Sequence, residues 1–280
     1  MDELVCNLSP SAKVLDLGAG GGSFSYASTP AQVVAVDLAF PSQRQSCLGS
    51  MIAVAEKLPL QDHSMDVVIC NHTLEHFTEL EGVLQEINRI LKTGGHLWAA
   101  VPDGFSCDDR LYRLVFRGGG HVNQFSLQTF VETLESGTEL RALHYKVLHS
   151  GLVYLNPPSP EKLPHYPRRA RVLGSIPPGM LQSFLRYANH LVRFVDRHFH
   201  SHLSHYGWAV VLCREKARKV AKRTVTSNLK SMQEDVNVCF SCGTGHPESI
   251  LVKILRTYRF WKAYQCPSCG TTNLFTQSET

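Results

Sequence analysis

The sequence predicts an α/β fold: a doubly wound, mostly parallel seven-stranded sheet, with a small metal-stapled unit following it. Three observations carry this expectation. Short apolar runs alternate with helical periodicity over the first 150 residues, the first run breaks into the glycine-rich turn Gly18-Ala19-Gly20-Gly21-Gly22, and two Cys-x-x-Cys pairs stand close together further on. Strands that are apolar on both faces need helices on both sides of the sheet. A chain of 280 residues with 43% hydrophobic and 19% charged residues can build one large core plus an appendage, and it is too apolar to be disordered as a whole.

Taken in order, Lys13–Leu17 (KVLDL) reads as a buried strand that ends in a tight turn. Val33–Val36 is a second strand closed by Asp37, Ser50–Ala55 a weaker third and Met65–Cys70 a clear fourth. From Glu79 to Leu91, apolar residues at 80, 83, 84, 87 and 91 give a helix, acidic at its start, with Lys92-Thr93-Gly94-Gly95 as its stop. His96–Pro102 is a fifth strand. The pattern then loosens over Asp103–Gly120. A helix capped by Ser126 follows, then a sixth strand from Leu140, a proline-rich stretch, a helix over Met180–Phe199 and a last strand at Tyr206–Cys213. The excursion 152–205 is too long for a turn and is expected to shape a substrate pocket or a partner surface. The expected domains are 1–214, a basic linker 215–237 and a cysteine unit 238–275.

Charge divides the chain. Residues 1–160 hold ten bases and seventeen acids, 161–230 hold fourteen bases and three acids, and the remainder balances. The basic middle is either a solvated connector or a docking surface for an anionic partner, such as RNA or an acidic protein. The first residues, MDELVCNL, have acids where a secretory leader has bases, and the longest uncharged stretch, Leu17–Val36, contains four glycines. The expectation is therefore a cytoplasmic protein with no membrane partner. Two local patterns are set aside. Asn156-Pro157-Pro158-Ser159 reads as a proline-fixed turn, and His198, His200, His202 and His205 read as surface imidazoles as readily as metal ligands.

A glycine turn after the first strand lets backbone N–H groups approach a ligand, and an acid closing the second strand can accept from ribose hydroxyls. On geometry alone, Asp16–Gly22 followed by Asp37 points to an adenosine-containing cofactor. The run Asp16-Leu17-Gly18-Ala19-Gly20-Gly21-Gly22, with Ala55–Phe77 and Leu84–Leu97, resembles the class I S-adenosylmethionine-dependent methyltransferases over roughly Ser11–Ser150. The resemblance implies S-adenosyl-L-methionine as cofactor. It places Gly18, Ala19 and Gly20 beneath the methionine part and lets Asp16 hold the loop. Asp37 would take the ribose hydroxyls, Leu38 would lie on the adenine, Ala55 and Glu56 would edge it, and Asn71 would lie near the methionine end. His76, Glu75, His72 and His121 are the candidate proton acceptors, His121 because Gly120–Ser126 resembles a pocket-lining run of the family. One departure is Val54, where many relatives carry an acid for the adenine amino group.

Cys239, Cys242, Cys266 and Cys269 form two pairs, each followed by Gly-Thr. Thiolates two residues apart can turn around one tetrahedral metal, and Zn2+ in a ribbon of two or three short strands is the expected occupant. Three functions stay open: a methyltransferase acting on a small molecule, one acting on RNA or protein through 161–230 and the ribbon, and a methyltransferase-like binding module without catalysis. Another nucleotide-cofactor enzyme is the more distant reading.

Overall fold

The structure is a computed structural model that describes residues 1–40, 45–116, 120–149, 167–199, 201, 203–214, 233–239, 244–257 and 262–275. Its helices are α1 (Asp2–Cys6), α2 (Leu80–Ile90), α3 (Cys107–Phe116), α4 (Leu127–Gly137), α5 (Arg168–Arg171), α6 (Pro178–Phe199) and α7 (Glu248–Leu251). The strands are β1 (Lys13–Leu17), β2 (Gln32–Asp37), β3 (Gly49–Ile52), β4 (Met65–Asn71), β5 (Leu91–Pro102), β6 (Leu140–His149) and β7 (His205–Arg214). Five short ones follow: β8 (Gln233–Val238), β9 (Gly245–Pro247), β10 (Arg256–Thr257), β11 (Lys262–Gln265) and β12 (Thr272–Leu274). The chain divides into two units. The first comprises Met1–Val101, Val122–Tyr145 and Ala209–Gln233, the second Pro102–His121, Lys146–Trp208 and Glu234–Thr280.

In the first unit β1 lies between β2 and β4, all parallel, with Leu15 beside Val34 on one side and Val68 on the other. Strand β3 extends this sheet beyond β2, and β5 extends it beyond β4, again in parallel. The strand order of the whole sheet is 3-2-1-4-5-7-6-8-9, nine strands where seven were expected, because the short β8 and β9 add to its end. Burial explains the central strands: Val14, Leu15, Leu17, Val36, Val68, Ile69 and Cys70 are all inaccessible or nearly so, as expected of parallel strands covered on both faces. Helix α2 buries Val83, Leu84, Ile87 and Ile90, the predicted stripe. Helix α4 starts where Ser126 suggests. Its Oγ accepts the Thr129 N–H at 3.1 Å while Thr129 Oγ1 accepts the Ser126 N–H at 2.8 Å, a reciprocal cap worth about 1 kcal/mol.

Two boundaries differ from expectation. Lys92–Gly95 does end helix α2, but as the beginning of β5 rather than as a turn before it. The start of the strand holds these polar residues, and Lys92 Nζ reaches the Asp66 carboxylate at 2.8 Å, which pairs its charge there. The stretch expected to be loose contains α3. Its start is fixed by Ser106, whose Oγ accepts the Asp109 N–H at 3.0 Å, and its acids lie in the first turn where the helix dipole favours them.

The second unit holds α6, whose end is closed by Asp196: its carboxylate accepts from Ser201 Oγ and from the backbone N–H groups of Leu203 and Ser204. Beyond it, β8 and β9 form an antiparallel pair, and β10, β11 and β12 a separate three-stranded antiparallel sheet. Three strands agree with the expected ribbon, while β8 begins within the stretch expected to be linker. Residues 156–159, His200, His202, Cys242 and most of the basic linker lie outside the described residues.

Candidate active site and metal centre

The first candidate site lies at the C-terminal ends of β1, β2, β3 and β4, where ligands of open parallel sheets bind. Asp16, completely buried in β1, accepts from Ser23 Oγ at 2.6 Å, Ser23 N–H at 2.8 Å and Tyr26 Oη at 2.7 Å. It therefore ties the two ends of the glycine turn together. Burial pushes this carboxyl above its ordinary value; the bonds from Ser23 and Tyr26 offset the shift only in part. The same burial and the adjacent Asp16 charge push the Tyr26 phenol far up, so it stays a donor.

Gly18, Gly20 and Gly22 all take positive φ, and at Gly18 a side chain is excluded twice over: φ is 71° and an added Cβ would lie 2.2 Å from Thr73 Cγ2. Thr73, buried behind the turn, is itself pinned by its hydroxyl to the Leu17 and Asn71 carbonyls. Asp37 closes β2 as predicted. Its Oδ2 accepts the Gly20 N–H at 2.7 Å and its Oδ1 the Leu38 N–H at 2.7 Å, leaving part of the acceptor capacity of a carboxylate for hydroxyl donors. Beside it, Leu38 and Ile52 are 67% and 73% exposed, and Val54 is also exposed. Asp37 pairs with Ile52, so β2 and β3 end together and present these apolar side chains at one edge. Ala55 is buried and Glu56 half-buried behind them.

The end of β4 supplies the third wall. Asn71 is its last residue, and His72 follows with φ 52°, a strained backbone for a non-glycine residue. Glu75 is buried, with Oε1 3.7 Å from His72 Nδ1 and 3.9 Å from His76 Nε2, while its Oε2 is buried with no hydrogen-bond partner among the described residues. A buried carboxylate oxygen left unsatisfied is costly and marks a place where a further donor belongs. Asn123 anchors the turn, its side-chain amide donating to the Leu74 and Phe77 carbonyls at 3.2 and 2.6 Å. Structure thus brings His72, Glu75 and His76 together.

His121 belongs to the second unit. Its Nδ1 lies 3.0 Å from Asp109 Oδ1, and its ring stacks on Tyr112 at 4.9 Å. Burial pushes the Asp109 carboxyl up, but the hydrogen bond from His121 and the Arg113 guanidinium more than reverse this and hold it below 3.8. The carboxylate is thus an acceptor only, so His121 Nδ1 carries the proton. In the histidine tract, His198 stacks on Phe194 and His205 packs edge-on against His149.

Sequence reading missed Ser23, Tyr26, Thr73, Asp109 and Asn123. Each acts through side-chain hydrogen bonding or contact, and only Thr73, inside the Ala55–Phe77 run, and Asn123, inside the Gly120–Ser126 run, stood in a recognised pattern.

At the metal centre the sulfurs of Cys239, Cys266 and Cys269 lie within 4.8 Å of one another. Cys239 Sγ and Cys269 Sγ are 3.7 Å apart, too far for a disulfide and close to the roughly 3.8 Å edge of a tetrahedron with 2.3 Å metal–sulfur bonds. Around them, Asn273 Nδ2 donates to Cys239 Sγ at 3.3 Å, His246 Nε2 lies 3.3 Å from Cys266 Sγ, and Thr271 Oγ1 lies 3.3 Å from Cys269 Sγ. An N–H aimed at sulfur, as from Asn273 to Cys239, favours the thiolate, the form that binds a metal. His246 is outside the mutually close group of three sulfurs. The donor set fits zinc.

Residues 15–99 match a family model described as a methyltransferase domain. Among curated proteins the chain is similar to a malonyl-[acyl-carrier protein] O-methyltransferase of Methylococcus capsulatus, 33% identical over 146 residues, covering 48% of this chain and 51% of that one. It is also similar to a ubiquinone biosynthesis O-methyltransferase of Xanthomonas oryzae pv. oryzae, 33% identical over 134 residues, 41% of this chain and 56% of that one. The chain thus spans about half the length of these relatives. Among solved structures, the YcgJ protein of Bacillus subtilis is 18% identical with a TM-score of 0.47, covering 78% of this chain and 97% of that one.

Proposed function

We propose that this chain, whose residues 15–99 match a methyltransferase-domain family model, is an S-adenosylmethionine-dependent methyltransferase that transfers a methyl group from S-adenosyl-L-methionine to an oxygen of a small-molecule acceptor. The observation that carries the reading is the turn itself: left-handed glycines over Thr73, latched by buried Asp16 and closed by Asp37, beside an exposed apolar edge of Leu38, Ile52 and Val54. Asp37 would accept from the ribose hydroxyls, the apolar edge would cover a flat base, and Gly18 and Gly20 would let the chain approach closely. The absence of an acid at position 54 leaves Glu56, Gln61 or water for the adenine amino group. The cofactor supplies an electrophilic methyl group when bound. In-line transfer then needs an aligned acceptor, a dry site and removal of its proton. The buried Glu75, flanked by His72 and His76, is the group we assign to that proton, either directly or through one of the imidazoles.

Both curated relatives are named O-methyltransferases, which supports an oxygen acceptor. The cysteine unit is proposed to hold one Zn2+ through Cys239, Cys242, Cys266 and Cys269 as a structural staple. Titration calorimetry with S-adenosylhomocysteine tests the cofactor. Binding at one equivalent per chain is expected, and tight NAD binding with no response to the adenosyl ligand overturns the reading. Glu75→Gln should then retain cofactor binding and lose turnover with an oxygen acceptor; retention of full turnover removes Glu75 from the proton path.

A further inference from the structure

Helix α6 supplies none of the residues assigned above to either candidate site. Its 22 residues bury Leu181, Leu185 and Asn189, whereas Met180, Phe184, Tyr187, Leu191 and Phe194 are each exposed by half or more. The spacing of four, three, four and three places these five on one stripe along the helix. Single exposed apolar residues are ordinary, but an unbroken row of five large ones marks an interaction surface.

Charge decides what the surface fits. From Arg168 to Phe199 the sequence has six arginines, no lysine and one acid, Asp196. That acid is occupied by the turn after the helix, where it accepts from Ser201, Leu203 and Ser204. Arg168, Arg171 and Arg186 are exposed. The segment from Arg168 to Phe199 is therefore both apolar on its exposed stripe and cationic. A second copy would set arginines against arginines. A nucleic acid would satisfy the charge but would find no use for Met180 and Leu191.

We propose that α6 is an interfacial helix that docks on an anionic phospholipid surface, its apolar stripe entering the boundary between headgroups and acyl chains and the exposed Arg168, Arg171 and Arg186 meeting lipid phosphates. The sequence reading set membranes aside for want of a span, and no helix among the described residues is long and apolar enough to cross one. An interfacial helix needs no such span. Its requirement is an amphipathic stripe with basic flanks, and the stripe becomes visible only when the inward face of the helix is known.

The test is co-sedimentation of the full chain with phosphatidylcholine–phosphatidylglycerol vesicles and with pure phosphatidylcholine vesicles, at low and physiological salt. Binding to the anionic vesicles, weakened by salt, is expected. Replacing the exposed Arg168, Arg171 and Arg186 by Gln should lower the partition about 100-fold, roughly fivefold per arginine. Phe184→Ser with Leu191→Ser should lower it at least about tenfold while leaving the far-ultraviolet dichroism and the thermal midpoint unchanged, because both side chains are exposed. Equal binding to both vesicle types, or none to either, overturns the proposal. So does a concentration-dependent dimer abolished by Phe184→Ser, which identifies a second copy as the occupant. RNA binding lost on the arginine substitutions, with vesicle binding intact, overturns it as well.

Discussion

The glycine turn and the cysteine cluster solve one problem with different sources of rigidity. Both hold polar backbone and side-chain groups at fixed places around a ligand. The turn rests on a parallel sheet whose strands bury nearly every side chain, and the buried Asp16 and Thr73 take their positions from that core. The cysteine unit has only a few buried apolar groups of its own, among them Val236, Val238, Leu251, Ala263 and Tyr264. So small a core cannot hold three sulfurs at tetrahedral spacing unaided. The difference teaches where each region should fail: the first through loss of packing or of one hydrogen bond, the second through loss of its metal.

The largest expected effect tests the second half of that contrast. In the full chain, Cys266→Ser should abolish zinc binding and unfold the terminal unit, because structural zinc contributes on the order of 10 kcal/mol of apparent folding energy. Metal analysis with limited proteolysis checks it: cleavage should concentrate after residue 233 while the glycine-turn unit stays resistant. A variant that keeps one zinc and full resistance breaks the comparison.

Next comes Gly18→Ala, where a left-handed backbone and contact with Thr73 act together. A cost of roughly 2 to 5 kcal/mol is expected from strain and overpacking, measured by denaturant unfolding of the first unit. Because the nearest atom is Thr73 Cγ2, adding Thr73→Ser should recover part of that loss. No recovery would mean that backbone strain, rather than packing, governs the turn. Asp37→Ala should be milder for the fold and specific for the ligand, weakening S-adenosylhomocysteine by roughly 1.5 to 3 kcal/mol in a calorimetric titration. An unchanged affinity would remove Asp37 from the cofactor site.

The smallest effect is a pH slope. Asp109 is held below 3.8 in the fold, so its stabilising contribution is present above that value and is lost as pH falls through the lower folded value. Asp109→Asn should therefore be less stable than the parent at neutral pH, and the two should converge in strong acid. Parallel curves from neutrality down to pH about 2 would show that His121 and Arg113 do not stabilise the charged carboxylate.

Much of the first site was legible because its signals are local. A strand, a glycine turn and an acid at the end of the next strand fall within 22 consecutive residues, Asp16 to Asp37, and their order alone gives a cofactor cradle. The cysteines proposed as metal ligands stand out for a similar reason, since thiolate pairs announce themselves by spacing, and three of them come together among the described residues. Helix α3 was not, because its amphipathic pattern is interrupted by charge and its start depends on Ser106, which is recognisable as a cap only once the helix is seen.

By itself, then, the sequence determined the strands, their parallel pairing, the turn and the thiolate pairs, because each depends on hydrophobic period or on residues a few positions apart. Only tertiary structure decided that Thr73 sits under Gly18 across 55 positions, that Glu75 keeps a buried oxygen without a donor among the described residues, and that His246 reaches Cys266. It also decided which stripe of α6 faces inward and which is left to solvent. Such facts depend on which surfaces meet. Chain geometry far apart in sequence settles that, through burial and hydrogen bonds that no local pattern encodes.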